Sequence, residues 1–223
     1  MNRVVKVDRV DWDKIKAVFL DLDGTLLDLH FDNHFWLEYV PIHFADKHDI
    51  SVDKAKQQLS ELYGEFGGTL NWYCVDFWTQ RIGLDIRSLK QDVSHKIAIR
   101  PYAEEFLQML VSRGKRIILV TNAHEASILI KMRKTNLQKY FHRIISSHQF
   151  GLAKEESGFW EKLNREEPFD KASTLFIDDN LTVLKAAERY GIEHLRSIAL
   201  PDSQGPEIVS DDFATISSYK DLI

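Results

Sequence analysis

The sequence predicts an α/β protein with a doubly wound parallel-sheet core and an inserted helical segment. Three observations carry this expectation. Four short apolar runs each end in small or acidic residues, each is followed by a helical stretch, and between Asp28 and Arg100 no strand pattern occurs while apolar residues recur at helical spacing.

The first run, Lys16 to Leu20, leads into Asp21-Leu22-Asp23-Gly24-Thr25. It is short enough for a strand buried on both faces, as a parallel sheet requires. In the insertion the apolar sets are Phe31, Phe35 and Tyr39, then Leu59, Leu62 and Phe66, then Phe77, Trp78 and Ile82. Gly67-Gly68 breaks this segment and Gly83 ends another helix. Residues 31 to 78 hold 11 of the 25 aromatic residues, so the insertion is packed around aromatics or presents them to something flat.

Past Pro101 a helix is expected over Tyr102 to Ser112, stopped by Gly114. The second run, Lys115 to Val120, enters Thr121-Asn122-Ala123-His124, and a helix follows over Glu125 to Thr135. The third, His142 to Ile145, enters Ser146-Ser147-His148 and is followed by a helix over Glu156 to Asn164. The fourth, Thr174 to Ile177, enters Asp178-Asp179-Asn180, and the helix Leu181 to Tyr190 is closed by Gly191. Such alternation puts ligand sites at the carboxyl ends of the strands.

Composition narrows the function classes. With 223 residues, 44% hydrophobic and 28% charged, the chain can bury a sizeable core, and long disorder is excluded as its main theme. The net charge of −5 leaves no broad positive field, so nucleic acid is not an expected partner. Cys74 stands alone, which rules out an internal disulfide or a cysteine-based zinc site as an expectation from sequence. No window reaches about eighteen apolar residues and the N-terminus lacks the apolar stretch of a signal peptide, so a cytoplasmic protein without membrane partners is expected. The nine histidines show no HxH or HExxH spacing and are read mostly as packing or surface residues.

The chemistry gathers at the four strand ends: Asp21 and Asp23, Thr121 and Asn122, Lys154, and Asp178 with Asp179. Carboxylates at i and i+2 point the same way, and a second acidic pair beside them needs a cation. A hard divalent ion such as Mg²⁺ suits carboxylates, phosphate oxygens and water together. Thr121, backbone amides and Lys154 supply donors for an anionic substrate.

In order and spacing these four segments resemble the motifs of the haloacid dehalogenase-like hydrolases, and the resemblance covers nearly the whole chain. It implies a Rossmann-like core over 1–27 and 101–223 and a helical cap domain over 28–100. It also implies Asp21 as nucleophile forming an aspartyl phosphate, and Asp23 as general acid and base with its backbone carbonyl on Mg²⁺. Asp179, supported by Asp178, would complete the metal site, and Thr121, Asn122 and Lys154 would clamp the phosphate. Two departures stand out: Glu155 takes the position where a proline often follows the lysine, and Thr182, Val183 and Leu184 replace acidic residues sometimes found beyond the fourth motif.

The cap segments LLDLHFDNHFW and TLNWYCVDFW further resemble the bacterial GMP/IMP 5′-nucleotidase branch. That resemblance implies a purine nucleoside monophosphate as substrate. Asn71, Trp72 and Tyr73 are candidates to meet the base by stacking and an amide contact, and His124 lies near enough in sequence to the second motif to touch substrate.

Other readings remain at this point. Thr121-Asn122 and Asp178-Asp179-Asn180 are also ordinary helix caps, and Trp72 and Tyr73 also serve as glue between cap helices. A sugar-phosphate phosphatase or phosphomutase would use the same scaffold. A 2-haloacid dehalogenase needs neither the donor at Asp23 nor magnesium, and a non-catalytic scaffold would not need the full motif set.

Overall fold

The structure, a computed structural model, describes residues 10–223; residues 1–9 of the expected first core segment lie outside the described residues. Six parallel strands form one sheet: β1 Ala17–Leu20, β2 Arg116–Thr121, β3 Arg143–Ser146, β4 Thr174–Ile177, β5 His194–Ile198 and β6 Ala214–Ile216, in the order β3-β2-β1-β4-β5-β6. The chain steps outward from β1 to β2 and β3, then crosses to the other side for β4, so a topological switch point falls beside the end of β1. The four expected strands are present. β5 and β6 extend the sheet beyond them.

Alternation along each strand feeds two apolar layers. Val18 and Leu20, Ile117 and Leu119, and Leu175 and Ile177 join one cluster, whereas Ala17 and Phe19, Ile118 and Val120, and Phe176 join the other. The period of two in a fully buried strand sends successive side chains to opposite faces, so both layers must be covered by helices.

The insertion is helical: α1 His30–His34, α2 Val40–His48, α3 Val52–Phe66, α4 Leu70–Tyr73, α5 Val75–Ile82 and α6 Ile86–Asp92. A π-helical turn, Phe35–Tyr39, joins α1 to α2 without a break. Pro41 lies two residues beyond it, and the missing proline N–H removes one bond from the ordinary ladder, which gives a physical reason for the wider turn there. Gly67 and Gly83 cap α3 and α5, as expected from the sequence. Where the chain enters and leaves the insertion its two arms run side by side: Leu27 pairs with Ile99, Asp28 N–H donates to Ala98 O at 3.0 Å, and Arg100 N–H donates to Leu26 O at 3.0 Å.

The remaining helices are α7 Ala103–Ser112, α8 Glu125–Thr135, α9 Phe159–Glu166 and α10 Leu181–Tyr190. α9 begins at Phe159 rather than at Glu156, because Gly158 at φ +89° precedes it and Glu156 turns back to accept the Ala153 N–H at 2.6 Å. Among the described residues no helix is long and apolar enough to cross a membrane.

The insertion is packed around its aromatics. Trp78 is fully buried and meets Trp36, Tyr63, Phe66, Trp72 and Phe77 with ring centroids 5.1 to 6.0 Å apart, and its indole N–H donates to Trp72 O at 2.8 Å. The same apolar cluster continues from these rings to one face of the sheet. Trp78→Ala is expected to cost about 3–5 kcal/mol in urea unfolding, in the range for large-to-alanine changes at filled aromatic sites. A loss below about 1 kcal/mol would mean that the ring is not the centre of this packing.

Candidate active site

The four motif segments meet at the carboxyl ends of β1, β2 and β4. Asp21 follows β1 directly and its N–H donates to Ile177 O at 3.0 Å, so the carboxylate is delivered beside the end of β4. Lys154 reaches in from the loop after β3. Its ammonium lies 2.5 Å from Asp21 Oδ1 and 2.6 Å from Asp178 Oδ2, and donates to Val120 O at 3.2 Å. One cation therefore ties three strand ends, and it is 2% exposed. Burial alone would lower its pKa, but the Asp178 and Asp21 carboxylates outweigh burial and hold it well above the ordinary lysine range.

Asn122 acts as a brace for this lysine. Its Oδ1 accepts the Lys154 N–H at 2.9 Å and its Nδ2 donates to Glu155 Oε2 at 2.8 Å, so both ends of the side chain are engaged within the protein. Glu155 also accepts from Tyr73 Oη at 2.8 Å and from Asn180 Nδ2 at 3.4 Å. A loop that a proline would stiffen is thus fixed by three hydrogen bonds, one of which comes from the insertion. Thr121 Oγ1 accepts the Ala123 N–H at 3.1 Å, which leaves its own hydroxyl proton free to be donated.

The carboxylates of Asp21, Asp178 and Asp179 lie within 4.8 Å of one another. Burial, followed by the neighbouring Asp178 and Asp21 charges, pushes Asp179 well above the usual carboxylate range, and burial pushes Asp178 up to about 7. Asp178 spends both oxygens, one on Lys154 and one accepting the Asn180 N–H at 2.9 Å. Backbone crowds Asp179: a Cβ on Gly24, whose φ is +78°, would stand 2.4 Å from Asp179 Oδ2, so only glycine is accommodated there. An all-oxygen donor set carrying excess negative charge fits a hard divalent cation such as Mg²⁺.

Asp23 points the other way, toward the insertion. Burial raises its pKa to about 6 against the opposing pull of Lys131, whose ammonium is 2.6 Å from Asp23 Oδ1. Lys131, from α8, also pairs with Asp32 of α1 at 2.6 Å, and Lys90 of α6 pairs with the other Asp32 oxygen at 2.8 Å. Asp32 is largely desolvated, yet these two ammonium groups hold its pKa at about 2. Asp32, Lys90 and Lys131 are functional candidates that the sequence reading did not single out; charged residues on helices carry no local signal of burial.

Two cavities share this region. One of about 120 Å³ is lined by Asp21, Thr121, Lys154, Asp178 and Asp179 among others, and one of about 310 Å³ by Asp32, Trp36, Trp72, Lys90 and Lys131 among others. Asp23, Leu29, Tyr73 and Ala123 line both, so they adjoin. Of the expected base-contacting residues, Trp72 and Tyr73 face this space. Trp72 also packs edge-on against Tyr63 and Trp78, which makes it cap glue and cavity wall at once. Asn71 is exposed and lines neither cavity, because its position on the single turn of α4 (Leu70–Tyr73) faces outward. His124 also lines neither; it caps α8, accepting the Ala126 N–H at 3.3 Å.

The family model of haloacid dehalogenase-like hydrolases matches residues 15–191. The chain belongs to this family of hydrolases. It is 34% identical over 214 residues, 96% of both chains, to proteins named GMP/IMP nucleotidase YrfG in Escherichia coli K12 and Shigella flexneri. Among solved structures it resembles a phosphatase of the same family from Thermococcus onnurineus (TM-score 0.79, 22% identity, 93% of this chain and 96% of that one). It also resembles a family enzyme from Bacteroides thetaiotaomicron in complex with magnesium and inorganic phosphate (TM-score 0.60, 18% identity, 86% and 97%). At these identities the solved structures speak to the fold alone.

Raised carboxyl pKa values make the metal-free site a pH-dependent burden. Asp23, Asp178 and Asp179 titrate above their ordinary value when folded, so their contribution to stability is complete at low pH and is lost as pH rises through about 6 to 7 and beyond. Asp32, held near 2, does not change over this window. In EDTA the Tm should therefore fall between pH 5 and 8. Asp179→Asn should raise the metal-free Tm at pH 8 by about 2–5 °C and remove the stabilisation expected on adding Mg²⁺. Calorimetry of the two proteins checks both; an unchanged Mg²⁺ response in the variant would remove Asp179 from the metal site.

Proposed function

We propose that this protein is a Mg²⁺-dependent phosphatase of small phosphate monoesters, and that its preferred substrates are the 5′-monophosphates of 6-oxopurine nucleosides, GMP and IMP. The observation that carries the phosphatase reading is the buried Asp21 carboxylate beside Lys154, at the wall of a small polar cavity that adjoins a larger aromatic one. The soluble-type composition and single cysteine support action in the cytoplasm on a diffusing small molecule rather than on nucleic acid or at a membrane.

In this mechanism Asp21 attacks phosphorus in line and forms an aspartyl phosphate. Asp23, with a pKa near 6, donates a proton to the departing ribose oxygen, and its carboxylate then takes one from the water that cleaves the phosphoenzyme. Thr121 donates to an equatorial oxygen, and Lys154 exchanges its long 3.2 Å bond to Val120 O for one to a second such oxygen, while Asn122, whose side chain is engaged with Lys154 and Glu155, orients that clamp. Asp21, Asp179 and the Asp23 carbonyl would hold Mg²⁺, with Asp178 fixing Lys154 in support. Once bound, the ion neutralises charge on the carboxylates and the phosphate. Residues 28–100 act as the cap that closes over the leaving group.

Substrate choice is argued from the larger cavity, whose roughly 310 Å³ is at the lower end of the range for small-molecule sites. Trp36 and Trp72 offer ring faces, and Lys90 and Lys131 offer ammonium donors. A purine carrying a carbonyl at position 6 accepts from such donors through that oxygen and N7, whereas the 6-amino group of adenine presents hydrogens to them. The name of the E. coli relative, with 34% identity along 96% of the chain, supports the same preference.

Asp21→Asn should lower kcat by several orders of magnitude with an unchanged Tm, since an amide cannot form the phosphoenzyme. Retention of more than about a tenth of the activity would end the covalent reading. EDTA should silence the enzyme and Mg²⁺ restore it; full activity in EDTA would favour dehalogenase-like chemistry.

For substrate choice, kcat/KM with GMP and IMP should exceed that with AMP by about tenfold or more, and hexose phosphates should be poorer still. Lys90→Met keeps an unbranched side chain of similar length and removes the charge that lies 4.5 Å over the Phe35 ring. It should cost GMP turnover about 10- to 100-fold while leaving a generic aryl phosphate within a factor of about three. Equal losses for both substrates would separate the base pocket from these lysines, and better turnover of hexose phosphates would replace the nucleotidase reading with the sugar-phosphate one.

A further inference from the structure

Cys74, His124 and His148 come from three distant parts of the chain and converge where the insertion meets the core. Cys74 sits between α4 and α5, His124 after β2, and His148 after β3. A sulfur and one ring nitrogen from each histidine lie within 4.8 Å of one another, and the two imidazole rings stand 5.0 Å apart at 85°. None of the three lines the cavities beside Asp21.

Two of these residues have a structural duty and one does not. Cys74 Sγ accepts the Phe77 N–H at 3.4 Å as the cap of α5, and His124 Nδ1 caps α8. His148 Nε2 is buried and has no hydrogen-bond partner, and the ring also interacts with the backbone of Asn122. An orphaned imidazole nitrogen on a ring that stands beside a thiol and a second imidazole is what a metal ligand looks like before metal arrives.

We propose that Cys74, His124 and His148 form a binding site for a borderline-soft divalent cation of the zinc class, distinct from the carboxylate site, and that the bound ion clamps the cap to the core. Tetrahedral Zn²⁺ holds sulfur at about 2.3 Å and nitrogen at about 2.0–2.1 Å, which sets the ligands roughly 3.4 Å apart. Closing from separations of at most 4.8 Å takes side-chain movement of at most about 1.4 Å. Asp76, whose Oδ2 is 3.7 Å from His124 Nε2, is in reach as a fourth ligand. With thiolate, carboxylate and two neutral imidazoles the coordinated ion would carry no net charge.

Coordination displaces the Cys74 thiol proton to solvent, and the Phe77 N–H bond to sulfur then stabilises the thiolate. At His124, binding through Nε2 transfers the ring proton to Nδ1 and gives up only the long 3.3 Å bond from Ala126 N–H. Thiolate and imidazole exclude Mg²⁺ from this site, just as the all-oxygen cluster favours it at the other.

Saturating Mg²⁺ occupies the carboxylate site while Co²⁺ is titrated into the intact protein. One equivalent should produce a thiolate-to-cobalt charge-transfer band and the strong visible bands of a four-coordinate ion, and Zn²⁺ should bleach both. Cys74→Ser, which retains an oxygen to cap α5, should lose the charge-transfer band, and both it and His148→Ala should bind Zn²⁺ at least about tenfold more weakly in competition with a chromophoric chelator. Absence of the band in the wild type, its survival in Cys74→Ser, or wild-type Zn²⁺ affinity in either variant would overturn the site. The clamp is read separately: Zn²⁺ should slow amide exchange in Val75–Ile82 of the wild type and not of Cys74→Ser, and equal exchange with and without Zn²⁺ would overturn the clamp. None of these readouts depends on turnover, so their failure leaves the phosphatase reading untouched.

Discussion

Everything at the carboxyl edge of the sheet depends on one buried ammonium. Lys154 faces Asp21, Asp178 and the Val120 carbonyl at 2.5, 2.6 and 3.2 Å, so the ends of β1, β4 and β2 are held to a single point charge. Removing either carboxylate would leave a desolvated cation short of a partner, and removing the lysine would leave two anions in a site already crowded by Asp179. The arrangement is therefore a constraint on the chain before it is a source of stability. It keeps the Asp21 carboxylate at a defined place with its charge compensated, and it leaves the cluster as a whole acidic enough to need a divalent ion.

The same logic is repeated one layer outward. Asp32 on α1 is surrounded by Lys90 and Lys131, and Lys131 reaches across to Asp23. This buried network joins the insertion to the core at the carboxyl group expected to carry protons. Ion pairing of this kind is worth little as net stability, but its geometry is demanding. Moving α1 or α6 relative to α8 changes the charge environment of Asp23. The Tyr73 to Glu155 hydrogen bond makes a second such link, since Glu155 also braces Asn122 and Asn122 holds the backbone of Lys154. Cap position and site electrostatics are thus coupled through named contacts rather than through distance alone.

Packing and chemistry divide the molecule between them. Strand residues of one parity and the aromatic centre around Trp78 share a continuous apolar cluster, which gives the insertion a firm seat on one face of the sheet. Polar residues then occupy the seam between the two, where the cavities lie. Buried polar groups need partners, and several at this seam find them across it: Lys131 to Asp32, Tyr73 to Glu155, Asn33 to Asp202 at 2.7 Å.

The sequence alone determined what local pattern can carry. β1 to β4 are unbroken apolar runs, the helices at Glu125–Thr135 and Leu181–Tyr190 have clear starts and stops, and four motif segments at strand ends are legible because each lies within a few residues. β5 and β6 were not legible. His194–Ile198 mixes polar with apolar residues near one side of the sheet, and Ala214–Ile216 is only three residues long, so neither rises above the background of a loop. Tertiary structure decided the rest. Asn71 turns outward while Trp36, an ordinary aromatic in the sequence, turns inward. Lys90, Lys131 and Asp32 read as surface charges until the fold buries them against one another. Cys74, His124 and His148 share no spacing that a motif could record, because their closeness comes from three separate connections brought to one seam. Hydrogen-bond ladders and burial periodicity act over a few residues and leave a signature in the chain; meetings between distant side chains are fixed by how the layers pack, and leave none.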